Sequence, residues 1–220
     1  LSSWGTNGFE NGELQSPVGI AIYENNVYVV DEERDIIQKF DNDGNFILKW
    51  GGIGNENGQF NEPQGITIDS NGIVYVADSM NHRIQQFTTD GEFLSSFGKY
   101  GFTDGKLKTP VDVTVYGDFI YVSDPGNHKI EKYNSDGIFL KSFDYSFGGS
   151  KVRPGGLTAD HNGDIYFVDT VKYRVVKMNS DGMSIASWGG VGRGDSKFTE
   201  PKDLVLDNRG YLFVLDSTVN

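Results

Sequence analysis

The chain has 220 residues and a formal net charge of −12, from 19 Lys and Arg against 31 Asp and Glu. That excess of acid works against any function resting on neutralised nucleic-acid phosphates, and the absence of cysteine excludes disulfides and thiolate metal ligands. No run of about 18 apolar residues occurs, so no helical membrane span is expected. With 37% hydrophobic residues, the chain can bury a substantial core.

In chain order, residues 1–5 match residues 94–98 and read as the last strand of an otherwise absent unit. Four full units follow, at 17–51, 63–98, 110–144 and 154–189, and then a half unit at 201–220. Residues 63–98 are the cleanest copy. Ile66 and Ile68 alternate with small residues, then Asp69-Ser70-Asn71-Gly72 breaks the run. Val74 to Ala77 follows and stops at Asp78; Ile84 to Phe87 leads into Asp90-Gly91, and Phe93 to Phe97 closes the unit. Period-two alternation, β-branched and aromatic enrichment and Asn-Gly or Asp-Gly punctuation predict a four-stranded antiparallel meander, with strands A to D.

Two markers set the period. Pro17, Pro63, Pro110, Pro154 and Pro201 open the units, and Asp31, Asp78, Asp124, Asp169 and Asp216 close each B strand. A period of about 45 residues with four strands per unit points to an all-β β-propeller, one unit per blade. The whole chain, 1–220, reads as one propeller domain or fragment. Its terminal pieces supply strands D, A and B but no C, so a five-bladed closure would leave a gap and exposed edges. The expectation is a piece of a longer, six-bladed chain.

The strings at 61–87 and 109–133, with Asn81-His82-Arg83-Ile84 and Asn127-His128-Lys129-Ile130, resemble NHL repeats. The resemblance extends over essentially the whole chain, although Glu33-Arg34-Asp35-Ile36 and Lys172-Tyr173-Arg174-Val175 depart from the signature. It implies a propeller that usually serves as a binding platform, with some relatives that are lyases and some that bind RNA.

Strand alternation places the tight A–B and C–D turns at one end of each blade and the B–C and D–A loops at the other. Function is expected on the second set, because long, varied loops on a rigid scaffold present binding groups. Glu32, Glu33 and Glu56 make the early loops acidic; Lys99, Lys106, Lys108, Lys151, Arg153, Arg193 and Lys197 make the later ones basic. Such a distribution favours a partner of complementary charge.

The repeated pairs Asp78/Arg83, Asp124/Lys129 and Asp169/Arg174 read as scaffold, since an active site needs one special copy. Asp41-Asn42-Asp43-Gly44-Asn45 lacks the closing Glu of an EF-hand and reads as a hairpin turn. His82 and His128 share a repeat offset and are weak metal candidates, whereas His161 lies in an A–B turn at the opposite end of its blade. A three-histidine zinc site is therefore not expected. Trp4, Trp50 and Trp188 share one repeat position with Phe97 and Phe143 and read as blade-packing residues.

No nucleophile motif, catalytic residue or cofactor is assigned. The sequence favours a non-enzymatic module, secreted or on the surface of a prokaryotic cell, that binds a protein, peptide or glycan on its D–A/B–C loops. Two alternatives stand beside it: a metal-dependent lyase or hydrolase with a central-channel site, and RNA binding through the basic loops. A cytoplasmic location and membership of a larger chain or assembly stay open.

Overall fold

A computed structural model describes residues 3–144, 146–147 and 150–218. The chain is all-β and is built of four-stranded antiparallel β-propeller blades. Two compact units, Leu1–Tyr100 and Gly101–Asn220, are each held by their own contacts.

The first unit contains two blades. One runs β1 (Pro17–Tyr23), β2 (Asn26–Asp31), β3 (Ile36–Asp41) and β4 (Phe46–Gly51); the next runs β5 (Pro63–Ile68), β6 (Val74–Asp78), β7 (Arg83–Phe87) and β8 (Phe93–Phe97). Strands pair in sequence order, as short connections between antiparallel neighbours allow. Between the blades, Ile66, Val74, Val76 and Phe87 close against Tyr28, Val30 and Ile37.

The second unit contains β9 (Asp112–Tyr116), β10 (Phe119–Asp124), β11 (Lys129–Asn134) and β12 (Phe139–Asp144), then a short ribbon of β13 (Ser146–Phe147) and β14 (Ser150–Lys151). A further blade follows as β15 (Pro154–Ala159), β16 (Ile165–Asp169), β17 (Arg174–Met178) and β18 (Ser184–Gly189). The half blade is β19 (Pro201–Leu206) and β20 (Leu212–Asp216). Its core joins Tyr121, Ile130 and Phe143 to Leu157, Ile165, Phe167 and Val176. Within this unit the first strands lie side by side, β9 against β15 and β15 against β19.

Trp50 and Phe143 near the ends of D strands, and Trp4 at the same repeat position outside any strand, pack on the C–D turn that follows. Gly44, Gly91 and Gly182, in C–D turns, have φ of 84°, 82° and 84°, and a Cβ on them would come within 2.8 Å of Trp4, Trp50 and Phe143 respectively. Both the left-handed backbone and the ring face require glycine there. Trp50 also sits edge-on to Tyr28 at 6.3 Å and tilted to Phe87 at 6.0 Å. The first-blade turn is a hairpin as read: the Asp41 carboxylate accepts from the backbone N–H groups of Asp43 and Asn45 at 3.0 and 2.8 Å.

The D–A loops carry a repeat that the sequence reading missed. Gly12-x-Leu14, Gly58-x-Phe60, Gly105-x-Leu107 and Ser196-x-Phe198 each stand at one offset before Pro17, Pro63, Pro110 and Pro201. Phe60 and Leu107 are fully buried, and parallel bridges Asn7–Leu14, Ile53–Phe60 and Val191–Phe198 curl the loops onto their blades. Loops that look variable are therefore anchored by an apolar plug.

Candidate functional site

The Asp that closes each B strand holds the start of its own blade. Asp31 accepts from the backbone N–H groups of Gln15 and Ser16, Asp124 from those of Lys108 and Thr109, and Asp216 from those of Thr199 and Glu200, all at 2.7–3.1 Å. Asp31, Asp78, Asp124 and Asp169 are fully buried. Arg83 Nε donates to Asp78 at 2.7 Å and Arg174 Nε to Asp169 at 3.0 Å. The pair expected between Asp124 and Lys129 does not form. Lys129 Nζ lies 2.6 Å from Asp104 in the preceding loop, while Asp124 is engaged by backbone N–H groups and by Asn127 Nδ2 at 2.9 Å.

The two histidines occupy a conformational position. Asp35, His82, His128 and Tyr173 recur at one repeat offset, with φ of 53°, 59°, 62° and 52°. Asp and His tolerate the left-handed region better than most residues, and their side chains tie the B–C turn to the following chain. Asp35 accepts from the Glu62 N–H at 2.8 Å, the His82 ring rests on Tyr100 at 4.7 Å, and His128 Nδ1 lies 3.0 Å from the Val152 carbonyl oxygen. Among the described residues, no three His, Asp or Glu side chains are grouped to hold a metal ion.

The charged loop residues divide into two kinds. Lys99, Lys151, Arg153, Arg193, Glu33 and Glu56 are exposed. Lys106 is half-buried. Lys108 Nζ lies 5.2 Å above the Phe102 ring, and Lys197 Nζ donates to the Gly189 carbonyl at 3.2 Å. Glu32 accepts from the Gln64 amide and from Ser16 Oγ.

A different position carries unusual chemistry. Two residues after each opening Pro stand Gly19, Gly65, Asp112, Gly156 and Asp203. In the second unit, Asp112 on β9 and Asp203 on β19 flank Gly156 on the strand between them. Asp112 accepts from the Leu157 N–H on β15 at 2.7 Å and from its neighbour Val113 at 2.8 Å. Asp203 accepts from the Leu204 N–H at 2.7 Å. A Cβ on Gly156 would fall 2.0 Å from Asp203 Oδ1, so the middle strand must carry glycine for the carboxylate to lie over it.

Desolvation pushes the Asp112 carboxyl well above the usual carboxylate range, and the charge of Asp203 raises it further. Desolvation raises Asp203 as well, although that residue as a whole is exposed. Two carboxyls that influence each other divide into one that holds its proton and one that ionises. The sequence reading missed them. The signal was there, in two copies that break a Pro-x-Gly pattern.

Residues 60–87 match the NHL repeat family. No curated protein matches the chain. Among solved structures, a streptogramin B lyase superposes with a TM-score of 0.67 at 18% identity, covering 90% of this chain and 61% of that one. The virginiamycin B lyase from Staphylococcus aureus gives 0.68 at 14% identity, with 91% and 63% covered. A nidogen/laminin complex gives 0.62 at 20% identity, with 79% and 64% covered. This chain thus spans about three-fifths of the length of the two lyases. These similarities show a shared fold. The expectation of a non-enzymatic scaffold is not supported by them, because two of these structural neighbours are lyases.

Proposed function

Starting from a chain built of NHL-repeat β-propeller blades, we propose that the protein is an enzyme of the lyase type, with Asp112 and Asp203 as its acid and base. An elimination needs a base to take a proton from carbon and an acid to protonate the departing group as its bond to the adjacent carbon breaks. One ionised and one protonated carboxyl supply both roles. The observation that carries this reading is the pair itself: two carboxyls with raised pKa on the first strands either side of β15, at the one repeat position where the other blades have glycine.

The likeness to streptogramin B and virginiamycin B lyases supports the reaction class. A protein, peptide or glycan is then the bearer of the group that is eliminated. An extracellular or cell-surface location belongs to the same proposal.

The test is turnover of quinupristin, the ligand in a structure of the virginiamycin B lyase, by the wild-type chain and by Asp112→Asn and Asp203→Asn. Removing a general acid or base costs about 100-fold to 10,000-fold in rate, and each variant is expected to lose activity on that scale while keeping its circular dichroism and unfolding midpoint. Variants that turn over like wild type would reduce Asp112 to a staple between β9 and Leu157 and end the proposal.

A further inference from the structure

Three equivalent side chains on the third strands hold the D–A loops, and one of them differs. Gln38 Oε1 accepts from the Gly12 N–H at 3.0 Å, and its Nε2 donates to the Glu13 carbonyl at 2.7 Å. Gln85 repeats both bonds, with the Gly58 N–H at 3.0 Å and the Gln59 carbonyl at 2.7 Å, and adds a bond to Asp78 at 3.0 Å. The slot therefore offers one donor, from the loop glycine, and acceptors, from the next carbonyl and the buried Asp.

Glu131 fills this slot in the third blade and is fully buried. One oxygen takes the Ser142 hydroxyl, and the Gly105 N–H supports the carboxyl as the equivalent glycines support the glutamines. Its Oε1 is buried without a partner. By repeat equivalence, an amide NH₂ donates from that position in the first two blades. A carboxylate there would set an acceptor against acceptors, which costs more than a neutral mismatch because the group is desolvated. Only a carboxylic acid reproduces the donor.

The geometry points to Glu131 as a proton-operated latch on the loop at 99–109: protonated, it holds the loop as Gln38 and Gln85 hold theirs, and ionised, it lets the loop go. Burial favours the neutral form of Glu131, and among the neighbouring charges Lys129 lowers its pKa more than Asp104 raises it. Asp124 at the end of β10 is buried, and Asp104 in the loop adds negative charge. Lys129 on the same strand opposes them, but it is already paired with Asp104 at 2.6 Å and feels Asp144 on β12. Tyr133, also on β11, is itself raised by desolvation and by Glu131 and Asp124. Burial is the largest influence on Glu131 and pushes it up to about 7, so the latch operates near neutrality. The inference is independent of the chemistry proposed for Asp112 and Asp203.

Amide hydrogen exchange of the full chain tests it, with rates corrected for the intrinsic pH dependence of exchange. In wild type, protection of the Gly105–Thr109 amides is expected to fall at least tenfold between pH 5.5 and pH 8.5, while Gly12 and Gly58 keep theirs. Glu131→Gln, which is isosteric and copies the first two blades, is expected to remove that pH dependence and hold the loop at both pH values. A loop that loosens equally in Glu131→Gln, or a wild-type loop protected equally at both pH values, would overturn the inference.

Discussion

At the scale of single residues, the recurring Asp is the costliest side chain to remove. Asp78 is buried and receives Asn61 N–H, Asn81 Nδ2, Arg83 Nε and Gln85 Nε2. Asp78→Ala leaves a guanidinium that is largely buried without its counter-charge, which costs about 3–5 kcal/mol. The surface pair of Arg209 and Asp207, with the arginine side chain 71% exposed, contrasts with it: Arg209→Ala should cost about 0.5 kcal/mol or less. Urea unfolding of the two variants reads the difference, and equal costs would contradict the clamp.

Glu131 gives a pH dependence whose sign follows from its shift. The folded state holds the proton more tightly than the unfolded chain does, with a pKa of about 7 against an ordinary 4.5. The group's stabilisation is therefore fully present below pH 4.5, declines as pH rises through 7, and is lost above it. Glu131→Gln should gain on the order of 2 kcal/mol over wild type at pH 8.5 and little at pH 4. Unfolding free energies at the two pH values check this, and a gain that is the same at both would contradict it.

At the scale of elements, equal positions in the repeat differ only in what covers them. Ile66 on β5 is 7% exposed against the preceding blade, whereas Ile20, at the same offset on β1, is 63% exposed. Ile20 borders an open apolar groove of about 440 Å³ with Trp4, Leu14, Val18 and Val29. Ile66→Ala should cost about 2–5 kcal/mol and Ile20→Ala under about 1 kcal/mol, since only the first opens a cavity. Thermal unfolding distinguishes them.

Strands and turns were legible in the sequence because alternation and Asp-Gly punctuation are local signals. Val74–Asp78 as a strand ended by its Asp, and the chain reversals at Gly44 and Gly91, could be read directly. The left-handed position was not legible, because Asp35, His82, His128 and Tyr173 fill it without a single glycine. Nor was the anchoring of the D–A loops, since Phe60 and Leu107 stand as isolated apolar residues among polar ones and show no period within their own loop. Glu131 and the Asp112–Asp203 pair escaped for a third reason. Each is an ordinary acidic residue until it is aligned with the glutamines or glycines of the sister blades, and only the fold shows that alignment to be spatial.

At the scale of the whole molecule, the repeat separates two kinds of residue. Those present in every copy, such as the B-strand Asp and the opening Pro, build blades, and those that break a repeated pattern are left for chemistry. The charged loops expected to carry function are partly spent on local contacts, as Lys108 over Phe102 and Lys197 on Gly189 show. A net charge of −12 further predicts no salt-sensitive RNA binding, which a filter assay at 50 and 200 mM salt would reveal if present.

The lyase reading is tested most directly by the source of the oxygen in the products. Quinupristin incubated with the wild-type chain in ¹⁸O-labelled water and analysed by mass spectrometry should give cleavage with no ¹⁸O in either new end, because elimination uses no water. Incorporation of the label would make the protein a hydrolase, and intact quinupristin after prolonged incubation would remove the substrate class and the lyase assignment with it.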